Sequence, residues 1–230
     1  MNDSIVTPFP IIPSNPRSEC RRRLIFGVGI NDADYLTHIN INGKKVRCSI
    51  YLIWSGMLMR CYCNKYQQKK PTYIGCTVTQ EWLTFSVFRK WVLAQDWNGL
   101  QLDKDILVPG NKVYGADFCV FVDAATNMLL NDRAGRRGEW PIGVSYHKAA
   151  GRFMASCGGG GARGYLGLFS SPEDAHEAYI SEKSKAIRRR ANMQADDRVR
   201  DALLLRATAL QEGGFGLREV RLGAVIGTVA

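Results

Sequence analysis

The run from Gly143 to Arg190, GVSYHKAAGRFMASCGGGGARGYLGLFSSPEDAHEAYISEKSKAIRRR, spaces Arg152, Arg163 and Tyr165 along short strand-like stretches, with His147 and Lys148 just before them. Arginine can pair with a guanine edge through two hydrogen bonds, and lysine and arginine hold phosphate oxygens. A small sheet with such side chains on its open face and a helix behind it has the shape to enter a DNA groove. The chemistry implied is recognition of a polyanion. A second question is whether the chain also cuts what it holds.

The elements that must position these residues can be read from the pattern. Glycines 158–161 form the hairpin between the second and third strands of the module. Ser171 is a natural N-cap, Pro172 suits the first helical position, and Glu173 and Asp174 fill the first turn. Arg188, Arg189 and Arg190 close that helix with the charge its macrodipole favours. Upstream, Ser49–Tyr62 and Glu81–Gln95 carry apolar residues at helical spacing, and their aromatics read as core. Leu102–Leu107 and Asp117–Val122 read as strands around a turn at Pro109-Gly110-Asn111, and Asp123–Leu130 as the start of a helix. Gln194–Gln211 gives one more helix, with Val199, Leu203 and Leu210 on one face. On residue type alone, Asp103 and Asp105 read as a solvated strand edge pairing with Lys104 or Lys112.

Composition narrows the classes. With 31 Lys and Arg against 21 Asp and Glu, the formal net charge is +10, which favours a polyanionic partner. A hydrophobic content of 46% argues against wholesale disorder. No run approaches the ~18–20 apolar residues that span a bilayer, and Pro and Asp precede any apolar stretch at the N-terminus, so we expect a cytoplasmic protein and no membrane partner. Seven cysteines without framework spacing fit reduced thiols. Cys48, Cys61, Cys63 and Cys76 are the set that could meet around zinc, though no C-x-x-C pair is present.

Two resemblances add to this reading. The Gly143–Arg190 module resembles the ethylene-response-factor type of DNA-binding domain, through Gly143-Val144, Gly151-Arg152-Phe153, Ala155, Ala162-Arg163, Tyr165-Leu166-Gly167, Phe169, Ser171, Glu173, Ala175, Ala178 and Tyr179. That family reads the major groove from its sheet, so the resemblance implies DNA contacts at Arg152, Arg163 and Tyr165, with His147 and Lys148 beside them. Ile142, Ser145, Ala150 and Gly158 replace family contact residues, so the family's base preference does not transfer. The central region resembles phage HNH-type endonucleases, through W-x-x-M-x-x-R-C-Y at Trp54–Tyr62 and L-D-K-D at Leu102–Asp105. This implies a ββα-metal site with Asp103 and Asn127 as ligands of a divalent ion, Mg²⁺ or Mn²⁺. Lys104 stands where the family has its general-base histidine and Phe118 where it has a bracing asparagine, so the site is degenerate, with Asp105 as a substitute ligand or base. Asp103, Lys104 and Asp105 are the candidate catalytic residues. A protonated lysine is a poor base.

The expectation is an α+β chain: a central ββα-metal, HNH-like domain with flanking helices, then a three-stranded antiparallel sheet plus helix. The divisions are a flexible basic arm over 1–23, the HNH-like domain over 24–130, a linker over 131–140, the DNA-binding module over 141–192, and a helix with an apolar tail over 193–230. The function expected is double-stranded DNA binding of the phage type, in the host-cell cytoplasm for a phage-encoded chain. The alternatives are an active metal-dependent homing-type endonuclease or nickase, and an accessory protein that binds a host or defence protein. Self-association into a homo-oligomer is a further reading of the apolar tail.

Overall fold

The computed structural model describes residues 9–130, 139–158 and 164–213. The chain is mixed α+β, and it divides into two compact units that alternate along the sequence. Of the described residues, 9–98 and 112–121 form the first; 99–111, 122–130, 139–158 and 164–213 form the second.

The first unit begins with a short helix α1, Pro16–Glu19, capped by the Asn15 side chain. Strands β1, His38–Ile41, and β2, Lys44–Arg47, pair as a hairpin. Its turn residues Asn42 and Gly43 both have positive φ, the conformation a two-residue hairpin turn requires. Helix α2 runs over Ser49–Tyr62 as its periodicity predicts, and buries Trp54, Met57, Leu58 and Cys61. It is followed by α3, Asn64–Lys69, and β3, Thr77–Val78. The helix expected over Glu81–Gln95 is broken. A 3₁₀ turn covers Gln80–Leu83, Thr84 is extended, and α4 spans Phe85–Leu93. The cause is a bridge in which Ile30 exchanges backbone hydrogen bonds with Leu83 and Phe85 on either side of Thr84. The aromatics do form the core: Phe85 and Phe88 are fully buried, and the Trp54 indole N–H donates to the Trp82 carbonyl at 2.7 Å.

Strand β4, Gln101–Asp103, belongs to the second unit and is shorter than the strand expected to reach Leu107. It ends because the Asp103 carboxylate accepts the N–H groups of Asp105 and Ile106, both at 2.7 Å, and turns the backbone into a loop. Strand β5, Val113–Tyr114, runs parallel to β3 in the first unit. The strand expected from Asp117 begins only at β6, Val120–Val122, because the Phe118 and Cys119 N–H groups both turn back to the Gly115 carbonyl.

In the rest of the second unit, α5 covers Ala124–Leu129 with Asp123 as its N-cap. Strands β7, Val144–His147, β8, Arg152–Ser156, and β9, Tyr165–Phe169, form a three-stranded antiparallel sheet in that order. Helix α6, Pro172–Ala191, starts at the expected cap, where the Ser171 hydroxyl accepts the Asp174 N–H at 3.1 Å. Helix α7, Asp197–Gln211, starts three residues later than expected, at an Asp196 cap. Between α6 and α7, Ile187, Val199, Leu203 and Ala207 are at most 1% exposed. The Ser184 hydroxyl donates to the Ala207 carbonyl across that seam, at 2.9 Å.

Candidate nucleic-acid interface

The sheet has two unlike faces. Alternate residues of a strand point to opposite sides, and opposed residues of neighbouring strands share a side. Ala155 is fully buried, and it is paired with Val144 on one flank and Gly167 on the other. That face meets α6. Gly143, entering β7, has φ +82°, and a Cβ there would lie 2.1 Å from the Tyr179 ring of α6, so only glycine allows the helix this close. The opposite parity carries Ser145, His147, Arg152 and Ser156, all exposed, with Met154 and Leu168 half-buried in the centre.

On this outer side His147 and Arg152 stand directly opposite each other at the end of the β7–β8 ladder. Tyr165, 56% exposed, lies opposite Ser156, beside an irregularity in the β8–β9 ladder. Lys148 is exposed in the 3₁₀ turn after β7. The His147 ring is oriented by its Nδ1, which accepts the Ala150 N–H at 3.2 Å and leaves Nε2 to face outward chemistry. Arg163 lies outside the described residues. Four of the five residues assigned to DNA contact are thus exposed, with His147, Lys148 and Arg152 together at one end of the sheet and Tyr165 at the other. Pattern reading passed over Trp140, which was placed in the connector. Its ring packs edge-on against Phe153 at 4.8 Å, and Tyr146 does so at 5.2 Å, so the aromatic cluster stiffens the end of the sheet that bears His147 and Arg152. The signal for it was the aromatic pair Tyr146 and Phe153, which stand opposite each other on β7 and β8.

The residues of the endonuclease resemblance are held differently. β4 and α5 lie against each other, with Asp103 at the strand end and Asn127 on the helix. Asp103 Oδ1 is committed to its own loop, and the Asn127 amide donates to Gln101 Oε1 at 2.8 Å. Lys104, only 5% exposed, donates to Asp105 at 2.8 Å and to the Asn111 carbonyl. Arg206 of α7, equally buried, donates to the Asp105 carbonyl. Burial, and then the neighbouring Asp105 charge, push the Asp103 carboxyl above its usual range, against the opposing pull of its two backbone hydrogen bonds and Arg206. Burial likewise lowers Arg206, against the attraction of both aspartates. Two cations already sit beside these carboxylates. Among the described residues, no group of three or more His, Cys, Asp or Glu able to hold a metal occurs. That statement covers Cys48, Cys61, Cys63 and Cys76, none of which forms a disulfide.

The W-x-x-M-x-x-R-C-Y residues serve packing. Trp54 and Met57 are fully buried, the Arg60 guanidinium lies 5.4 Å from the Tyr114 ring centroid, and the Tyr62 hydroxyl accepts the Val78 N–H at 3.0 Å.

No protein family, curated protein or solved structure matches this chain. Among the described residues, no helix is long and apolar enough to cross a membrane.

Proposed function

We propose that this protein binds double-stranded DNA through the outer face of the β7–β8–β9 sheet. One observation carries the reading: His147, Lys148 and Arg152 are exposed together at one end of a sheet backed by α6, and Tyr165 is exposed at its other end, opposite Ser156. In a chain of net charge +10, such a face suits a duplex groove, with the arginine for a base edge or phosphate and the tyrosine for sugar or base contact. The ethylene-response-factor-like reading of 141–192 is part of this proposal. So is HNH-type ancestry for 24–130, supported by Asp103 and Asn127 on adjoining strand and helix and by the matching sequence patterns. The region then contributes scaffold and basic surface rather than a cutting centre.

A mobility-shift titration on duplex DNA tests it. Arg152→Ala with Tyr165→Ala should weaken binding by about 1.4–3 kcal/mol or more, tenfold at least. Wild-type affinity should fall linearly in log–log form with salt, by ~0.9 per phosphate contacted. Binding absent at low salt, or unchanged in the double variant, ends the proposal. Supercoiled plasmid with Mg²⁺ or Mn²⁺ should stay intact; nicking that vanishes in Asp103→Ala and Asn127→Ala would instead establish the endonuclease reading.

A further inference from the structure

A second basic feature lies in the first unit. Arg21, Arg22 and Arg23 come directly after α1, and with Asn31, His38 and Tyr51 they line an open cavity of about 320 Å³. From Ile12 onward the segment is held in place. The Leu36 N–H donates to the Ile12 carbonyl and the Ser14 N–H to the Asp34 carbonyl, both at 2.9 Å. The Arg22 guanidinium reaches the carbonyls of Asn31 at 3.0 Å and Tyr35 at 3.4 Å. Arg22 is therefore a wall of the cavity, whereas Arg21 and Arg23 remain exposed and form no ion pair among the described residues.

No carboxylate lines the cavity. Burial, then the charges of Lys45 and Arg47, holds the His38 imidazole below its usual value. Unpaired cations around a preformed hollow cost self-repulsion that an anion would relieve. Guanidinium forks match the oxygens of a phosphate in pairs. The volume falls at the lower end of small-molecule sites, room for a nucleotide, and the half-buried Tyr51 adds an aromatic surface to the lining.

We propose that this cavity binds the phosphate of a nucleotide, with Arg21 and Arg23 as its principal grips and Arg22 as the fixed wall. The phosphate can belong to a free nucleotide or to the end of a nucleic-acid strand. The site shares no residue with the sheet face, so it stands or falls independently of duplex binding.

The test is calorimetric titration of the full chain with deoxyadenosine monophosphate, with a short 5′-phosphorylated single-stranded oligonucleotide, and with deoxyadenosine. The two phosphorylated probes should bind and the nucleoside should not. Tighter binding of the monophosphate identifies a free-nucleotide site, and tighter binding of the oligonucleotide a strand-end site. Arg21→Ala with Arg23→Ala should lose roughly tenfold or more in affinity, and the double lysine variant should retain part of it. Arg152→Ala with Tyr165→Ala should leave monophosphate binding unchanged. Both arginines are exposed, so a normal circular-dichroism melt should accompany the loss. Deoxyadenosine binding as well as its monophosphate, no heat from any probe, or undiminished affinity in the folded double-alanine variant would each overturn the proposal.

Discussion

Asp103 shows what burial does to a single carboxylate. Its folded state prefers the proton more than the unfolded chain does, since its value is raised above 3.8. Between the ordinary and the raised value the folded protein holds the extra proton, so this group's contribution to stability falls as pH rises through that window. Asparagine can still accept the Asp105 and Ile106 N–H groups and has no charge to bury. Asp103→Asn should therefore gain stability relative to wild type as pH rises from about 4 to 7, read by urea unfolding across that range. A variant that loses ground with rising pH would show the carboxylate to be needed ionised, as a metal ligand is. The aspartate at the head of L-D-K-D was legible in the sequence as special. Its use was not, because its partners are the two amides just beyond it and an arginine about a hundred residues away, which no local pattern announces.

Among the elements, the sheet and α6 were legible from local signals: alternation along the strands, the serine cap, the proline at the first helical position. Misjudged bounds came where one residue's hydrogen bonds, long-range at Ile30 and local at Gly115 and Asp103, overrode a period. Ile30 interrupts the helix after Leu83, Gly115 delays β6, and Asp103 halts β4. The seat of α6 on the sheet depends on the Gly143–Tyr179 approach. Gly143→Ala adds one methyl to a filled space at positive φ, and should cost ~2–4 kcal/mol in chemical denaturation. It should also weaken duplex binding, because His147 and Arg152 hang from the same ladder. A neutral substitution there would mean the helix can retreat without disturbing the strands.

At the scale of the molecule, the sheet and α6 do not close on themselves within residues 141–192. Ala186, Ile187 and Ala191 of α6 are buried, with α7 the element most extensively packed against that helix. Arg190 is bound to the Asp123 carboxylate and, at 2.7 Å, to the Thr126 hydroxyl at the head of α5. Burial alone would raise the Asp123 carboxyl, but the Thr126 hydrogen bonds and the arginine outweigh it and hold the value below the ordinary one. A fragment of residues 141–192 should therefore lack a cooperative thermal transition that the full chain displays. A sharp melt from that fragment alone would show its apolar helix face to be dispensable.

The alternation of the two units along the chain bears on inheritance. Residues 99–111 fold with the chain from residue 122 onward, while 112–121 return to the earlier unit. A recombination event that fused only the stretch after 130 onto another gene would leave behind Asp105, Asp123 and Thr126, the anchors to which Arg206 and Arg190 are tied. Lineages carrying this sheet are thus expected to transmit it together with the loop beginning at Gly99, as one heritable block rather than a freely exchangeable cassette.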